Sequence, residues 1–350
     1  MTDQYAAFWT WFTAHEKKFY DVVITADRDT IDKQFFEPLM ERLNAIREGY
    51  FFLTGLNEDT AELIITADGE VKNIVFVEEL VALAPVLANW RFIADKPESD
   101  IDYTTIHIHD FIFSLENLFF YAKEDAQHPD KINITIVHDS YDEAEKGKII
   151  PGVYIFLDNL LGEVKSITMI DSVEVIGPDQ AELELIPVVK LKAYLEWRQK
   201  EFIEKYEDVY YDTANDNFTG MQASTQSDSP VLILVNSGAL EWHGSASHPW
   251  ILQVAITYEG DEQSALPDAE TNQLMDVIEA DFLAQLPVSN GHIYLGRETY
   301  ENNRYLYIAS QDFRIPAKVS EAMTEKYAAQ LPVEWDIFKD KYWQSLERFW

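Results

Sequence analysis

Apolar residues recur at helical spacing from the start of the chain. Tyr5, Phe8, Trp9, Trp11, Phe12 and Phe19 form an aromatic stripe over residues 4–20, too dense for an exposed helix, so it is expected to pack on the first domain. A second amphipathic run carries Ile31, Phe35, Phe36, Leu39, Leu43 and Ile46 on one face, with Gly49 as its C-terminal stop. Tyr50–Leu53 and Glu62–Thr66 read as strands, and Asp68-Gly69 reads as a hairpin turn, a pair that takes positive φ at low cost. Val77, Leu80, Val81, Ala84 and Leu87 predict a helix kinked near its end by Pro85, and Trp90–Ile93 predicts a returning strand. Further strands are predicted over 103–109, 116–121, 132–138 and 167–176, with a helix over 151–161 begun by Pro151.

Residues 188–206 read as a long charged helix with Leu191, Leu195 and Phe202 on one face. Asp212–Ser229 then loses hydrophobic periodicity and fills with Ser, Thr, Asn, Asp and Gly, which places a domain boundary there. Beyond it the pattern predicts strands at 231–241 and 250–258, a helix at 268–285, strands at 291–297 and 304–309, a helix at 316–330, and an aromatic segment ending in Trp350. The expected class is α+β with two domains, 1–206 and 207–350. The second is expected to be one antiparallel sheet covered on one face by helices, a ferredoxin-like relative.

Composition narrows the function classes. The 350 residues are 47% hydrophobic and 13% aromatic, which excludes a disordered acidic tail. Cysteine is absent, so disulfides, thiolate zinc sites and thiol catalysis are excluded. With 27 Lys+Arg against 62 Asp+Glu the formal net charge is −35, which repels nucleic acid. The charge is uneven: from Glu207 to Gly296 there are 14 carboxylate side chains and no Lys or Arg. Such a run focuses a negative potential suited to a basic protein partner. The apolar stretch Val75–Leu87 is interrupted by Glu78 and Glu79 and is too short to span a bilayer. The N-terminus carries no secretory pattern, so a cytoplasmic location is expected.

Late in the chain stand Gly296-Arg297-Glu298-Thr299, then Asn303-Arg304-Tyr305-Leu306-Tyr307, then Glu334-Trp335-Asp336 and Tyr342-Trp343. In that order, after an acidic helix, they resemble the bacterial domain-of-unknown-function family 695 over about residues 210–350. In the first domain, Glu62–Gly69, Leu83-Ala84-Pro85 and Asn89–Phe92 resemble a pattern of uncharacterised bacterial proteins; those continue into Ala-Phe, where this chain has Ala94-Asp95. Neither resemblance implies a catalytic activity, and the first implies regulation by binding.

Candidate chemistry is sparse. His107 and His109 lie two apart in an alternating strand and so share a face; with His138, or Asp139, from a neighbouring strand they can form a metal site for a hydrolase. His243 and His248 flank Gly244–Ser247, but no Gly-x-Ser-x-Gly elbow accompanies the serines, so the segment reads as a turn. Arg297 and Arg304, with Thr299 and Trp335 nearby in the family-like motif, can bind a carboxylate or phosphate, or can pair with Asp276 or Glu279 and hold helix to sheet. No phosphate loop or dinucleotide fingerprint is present, and no cofactor is expected. The expected function is an acidic, non-enzymatic binding or regulatory protein that engages a basic partner, with the histidine-based hydrolase as the competing reading.

Overall fold

The computed structural model describes residues 2–99, 105–225 and 228–349. The chain forms two compact units, Met1–Ala126 with Lys131–Gln199, and Gln127–Asp130 with Lys200–Trp350. The start of the predicted strand 103–109 and the terminal Trp350 lie outside the described residues.

In the first unit, α1 (Thr2–Thr25) buries Phe8, Trp9, Phe12 and Phe19, and the Trp9 indole N–H donates to the Leu80 carbonyl (2.7 Å). The second amphipathic run is three pieces: α2 (Arg28–Ile31), a π-helical turn (Asp32–Phe36) and α3 (Glu37–Ile46). Pro38, which has no N–H to donate to an α ladder, is the second residue of α3, just past the wide turn. β1 (Phe51–Asn57) and β2 (Thr60–Thr66) form a hairpin that turns at Glu58-Asp59. Asp68-Gly69 (φ 50° and 89°) is therefore not that turn. It leads from β2 into α4 (Val71–Ala82), after which β3 (Trp90–Ala94) returns parallel to β2.

The same unit continues with the ribbon β4 (Ile106–Ile108) and β5 (Phe111–Phe113), then β6 (Leu118–Lys123) and β7 (Asn133–His138). Helices α5 (Lys146–Leu161) and α6 (Glu163–Met169) precede β8 (Ser172–Ile176) and β9 (Ile186–Pro187), giving a sheet of order β8-β7-β6-β9. Pro151 sits inside α5 rather than starting it; it forgoes one ladder bond within an otherwise apolar helix whose Val153, Phe156 and Leu157 are buried in the core. The first part of the predicted strand 167–176 is helical, because Glu163–Met169 belongs to α6. α7 (Leu191–Tyr206) buries Leu191 and Leu195, and the division between units falls within it, at Gln199/Lys200.

The second unit is one antiparallel sheet of six strands. Its elements are β10 (Phe218–Ser224), β11 (Pro230–Asn236), α8 (Ser237–Leu240), β12 (Trp250–Thr257), α9 (Ala269–Gln285), β13 (His292–Tyr300), β14 (Asn303–Ser310), α10 (Arg314–Tyr327) and β15 (Val333–Lys339). The order is β10-β11-β13-β14-β12-β15. From β12 onward the chain runs βαββαβ with β12 and β14 central, the ferredoxin-like arrangement, and β10 and β11 extend it on one side.

Each face of this sheet has its own cover. Leu252, Val254 and Ile256 lie on the face that carries α9 and α10. Ile251, Ile293, Leu295, Tyr307 and Ala309 lie on the other, packed with α8 and with Trp343, Leu346 and Phe349 from the C-terminal stretch. No helix among the described residues is long and apolar enough to cross a membrane.

Candidate functional site

The motif residues near Gly296 are sorted between these two faces by a bulge. Between Tyr294 and Gly296 the β13–β14 register shifts, and Gly296 adopts φ 143°. A Cβ there would stand 2.3 Å from the Leu234 carbonyl, so only glycine lets β11 and β13 pair at this point. Leu295 keeps the C-terminal face of Ile293, and the shift after it turns Arg297 to the helical face.

On the helical face Arg297 pairs with Asp276 (3.1 Å) and Glu279 of α9. Arg304, with a side chain 3% exposed, donates to Asp276 (2.7 Å), Asn272 (2.6 Å) and Thr299 (3.3 Å). Glu279 also accepts from the Tyr294 hydroxyl (2.8 Å). Burial opposes the charge of Arg297, yet the neighbouring Glu279 and Asp276 raise its pKa. Trp335, on edge strand β15 opposite Val254, shares this face with Arg297, Arg304 and Thr299, but β12 and β14 separate it from β13. Of the two roles the sequence left open for the arginines, the bonds made are those of a helix-to-sheet tie. On the opposite face Glu298 accepts from Tyr307 (2.5 Å) and Arg348 (2.7 Å), tying the C-terminal stretch to the sheet. The Gly-Arg-Glu-Thr element thus anchors both covers of one sheet.

The expected histidine set does not assemble. His107 is exposed in the short ribbon, paired across from Ile112, and His109 sits past the strand end at φ 54°. His138 is buried with both ring nitrogens engaged: Nδ1 accepts from the Ser140 N–H (3.1 Å), so Nε2 donates to the Ile112 carbonyl (2.9 Å). Neither nitrogen keeps a lone pair for a metal. Among the described residues no three His, Asp or Glu side chains converge on a metal position. Ser247 and His248 do meet (2.9 Å), but the serine hydroxyl donates to the Gly244 carbonyl (2.7 Å), so its proton is not aimed at the imidazole. That is the hydrogen bonding of a turn, as the sequence suggested. Burial pushes the His248 pKa down to about 4, reinforced by the charge of His292.

A different region of the second unit gathers carboxylates without cation partners. Of the 14 carboxylates between Glu207 and Gly296, three (Asp276, Glu279, Asp281) pair with a cation; the remaining eleven are all exposed, without a cation partner among the described residues. The strand register divides the eleven between the two ends of the sheet. Asp228, Glu259, Asp261, Glu262, Asp268 and Glu270 lie at the end carrying the β10–β11 and β13–β14 turns. Glu207, Asp208, Asp212, Asp216 and Glu241 lie at the other end or next to it in sequence, where β10 begins and β11 runs into α8.

That second end also carries two adjoining hollows, of about 400 Å³ and 630 Å³, which share Trp242 and His243 as a common wall. Tyr211 packs edge-on against Trp242 (5.3 Å between centroids), and Trp242 in turn contacts His248 and Trp343. Behind the larger hollow, the buried Asn236 ties together the segments that carry its lining residues Tyr211 and Asn217. Its side-chain oxygen accepts from Asn217 N (3.1 Å) and Ala239 N (3.2 Å), and its amide donates to Asp216 (2.6 Å), which also accepts from the Tyr211 hydroxyl (2.7 Å). Gly238 lets the Asn215 carbonyl approach to where a Cβ would stand 1.9 Å away. Lys205, which lines the smaller hollow, is neutralised by Asp130 (2.8 Å). Burial opposes the charge of Asp130, but Lys205, Tyr342 and Tyr206 together lower its pKa.

Sequence reading passed over Tyr211, Asn236 and Trp242. Asn236 follows directly on an apolar strand and precedes Ser237-Gly238, the one local signal that it caps a turn. No curated protein and no solved structure matches this chain. Residues 220–349 match the model of a family of unknown function, DUF695.

Proposed function

We propose that the protein is a non-enzymatic, acidic binding protein, working in the cytoplasm, that docks a basic segment of a partner protein on the Trp242 hollows. The observation that carries this reading is the joint presence of an aromatic wall and unneutralised carboxylates at one end of the sheet. Trp242 and Tyr211 are anchored by packing and hydrogen bonds, while the exposed Glu241 lines the larger hollow with them and the exposed Glu207, Asp208 and Asp212 adjoin the lining residues Tyr206, Val209 and Tyr211 in sequence. Tyr210, 77% exposed, extends the aromatic surface. A lysine or arginine side chain laid against an indole face gains about 0.5–2 kcal/mol, and flanking carboxylates add attraction and speed encounter. Fixed aromatic anchors within a polar rim are the usual composition of a binding hot spot.

The test is fluorescence anisotropy with a labelled nine-residue Lys/Arg peptide, titrated at several salt concentrations against the full chain and Trp242→Ala. Saturable binding that weakens steeply with salt, and about tenfold or more on loss of Trp242, supports the reading. A peptide that does not bind at low salt, or binds equally well without Trp242, removes it.

A further inference from the structure

The first unit holds a cleft of about 550 Å³ whose polar end is built from Asp68, Lys96 and Asp158 and whose wall includes Ile155, Ile167 and Val173. Its construction starts one layer down. Glu163, fully buried, accepts from the Thr66 hydroxyl (2.5 Å), from Gly69 N (2.8 Å) and from Lys96 N (3.0 Å). One carboxylate thereby fixes both the turn that carries Asp68 and the backbone that carries Lys96. The Lys96 ammonium then bridges Asp68 (2.5 Å) and Asp158 (3.3 Å). Burial raises the Asp158 pKa, against the pull of Lys96.

The unused capacity of this pair is specific. An ammonium has three N–H donors, and two of Lys96's go to Asp68 and Asp158 through one oxygen of each. One donor of Lys96 and the second oxygen of each carboxylate remain, and of the two carboxylates Asp158, 20% exposed against 55% for Asp68, is the more enclosed. A purely cationic ligand would satisfy an oxygen but crowd Lys96 with like charge. A purely anionic one would satisfy the donor but face the three carboxylates that line the cleft, Asp68, Asp158 and Asp171. A zwitterion pairs both, which is the least costly way to fill the polar end.

We infer that this cleft binds a free aliphatic α-amino acid, its carboxylate on Lys96, its ammonium on Asp158 and its side chain against Ile155, Ile167 and Val173. The site is separate in residues and chemistry from the Trp242 hollows, so either can fail without the other.

Calorimetric titration of the full chain with L-leucine, glycine, isoamylamine and 4-methylpentanoate tests it. The expected result is saturable binding of leucine, with each of the other three weaker by about tenfold or more, and a comparable loss of leucine affinity in Asp158→Asn and Lys96→Met. Isoamylamine binding as tightly as leucine would make this a simple cation site and overturn the inference, as would no heat from leucine. If a variant fails to fold, judged by circular dichroism, the four-ligand comparison on the unaltered chain still decides.

Discussion

Replacing Arg304 by methionine tests the tie between helix and sheet. The substitution keeps most of the buried stem and deletes the guanidinium, removing bonds to Asp276, Asn272 and Thr299 from a side chain only 3% exposed. Deleting one partner of a fully buried ion pair costs about 3–5 kcal/mol. Here Asp276, 47% exposed, can rehydrate, and Glu279 keeps Arg297, which places the cost at the lower end, about 3 kcal/mol. Arg297→Met should cost less, about 2 kcal/mol, because that side chain is already a quarter exposed. Since two units need not unfold together, the measurement is hydrogen exchange in α9, read by mass spectrometry. Arg304→Met should speed exchange of its protected amides by roughly a hundredfold, and Arg297→Met by clearly less. A change of twofold or less in Arg304→Met, or the reverse order of the two variants, would refute the reasoning.

Two other outcomes follow from the same unit. Gly296→Ala must push a methyl into the Leu234 carbonyl at a positive φ and should destabilise by about 3 kcal/mol in thermal melts, whereas Gly220→Ala, with nothing within 4 Å of the added Cβ, should stay within about 0.5 kcal/mol of the parent. His248 has its folded pKa depressed from 6.5 to about 4, so the native state holds it neutral. The stability this contributes is intact above pH 6.5 and is lost as pH falls toward 4, a drop of about 3 kcal/mol. Urea titrations of the parent and His248→Gln at pH 7 and pH 4 should therefore differ in the size of their acid loss by about that amount.

The long elements were legible because each buries one face. The stripe through Phe8, Phe12 and Phe19 became α1, and β12, α9, β13, β14 and α10 of the second unit followed in that order from alternation in the strands and periodicity in the helices, while the closing β15 did not. What escaped lacked a private signal. β10 is exposed along nearly its whole length, so its residues show no alternation; its pairing with β11 alone makes it a strand, inside a stretch that read as linker. β15 did alternate, through Val333, Trp335 and Ile337, but its aromatic residue drew attention as a motif. The candidate sites show the same division. Arg297 meeting α9 was foreseeable, since a lone cation after a long anionic run needs a carboxylate. The convergence of Tyr211, Asn236 and Trp242, and of Lys96 with Asp158 and Glu163, depends on contacts between residues distant in sequence, which no local pattern encodes.

The sharpest comparison is between the two acidic ends of the second unit. Neutralising Glu207, Asp208, Asp212 and Glu241 to their amides should weaken the basic peptide by about tenfold or more at low salt. The matched change at Glu259, Asp261, Glu262 and Glu270 should alter its affinity by no more than about threefold. Equal losses from the two sets would mean that only net charge attracts the peptide, and a larger loss from the second set would place the docking surface at the wrong end of the sheet.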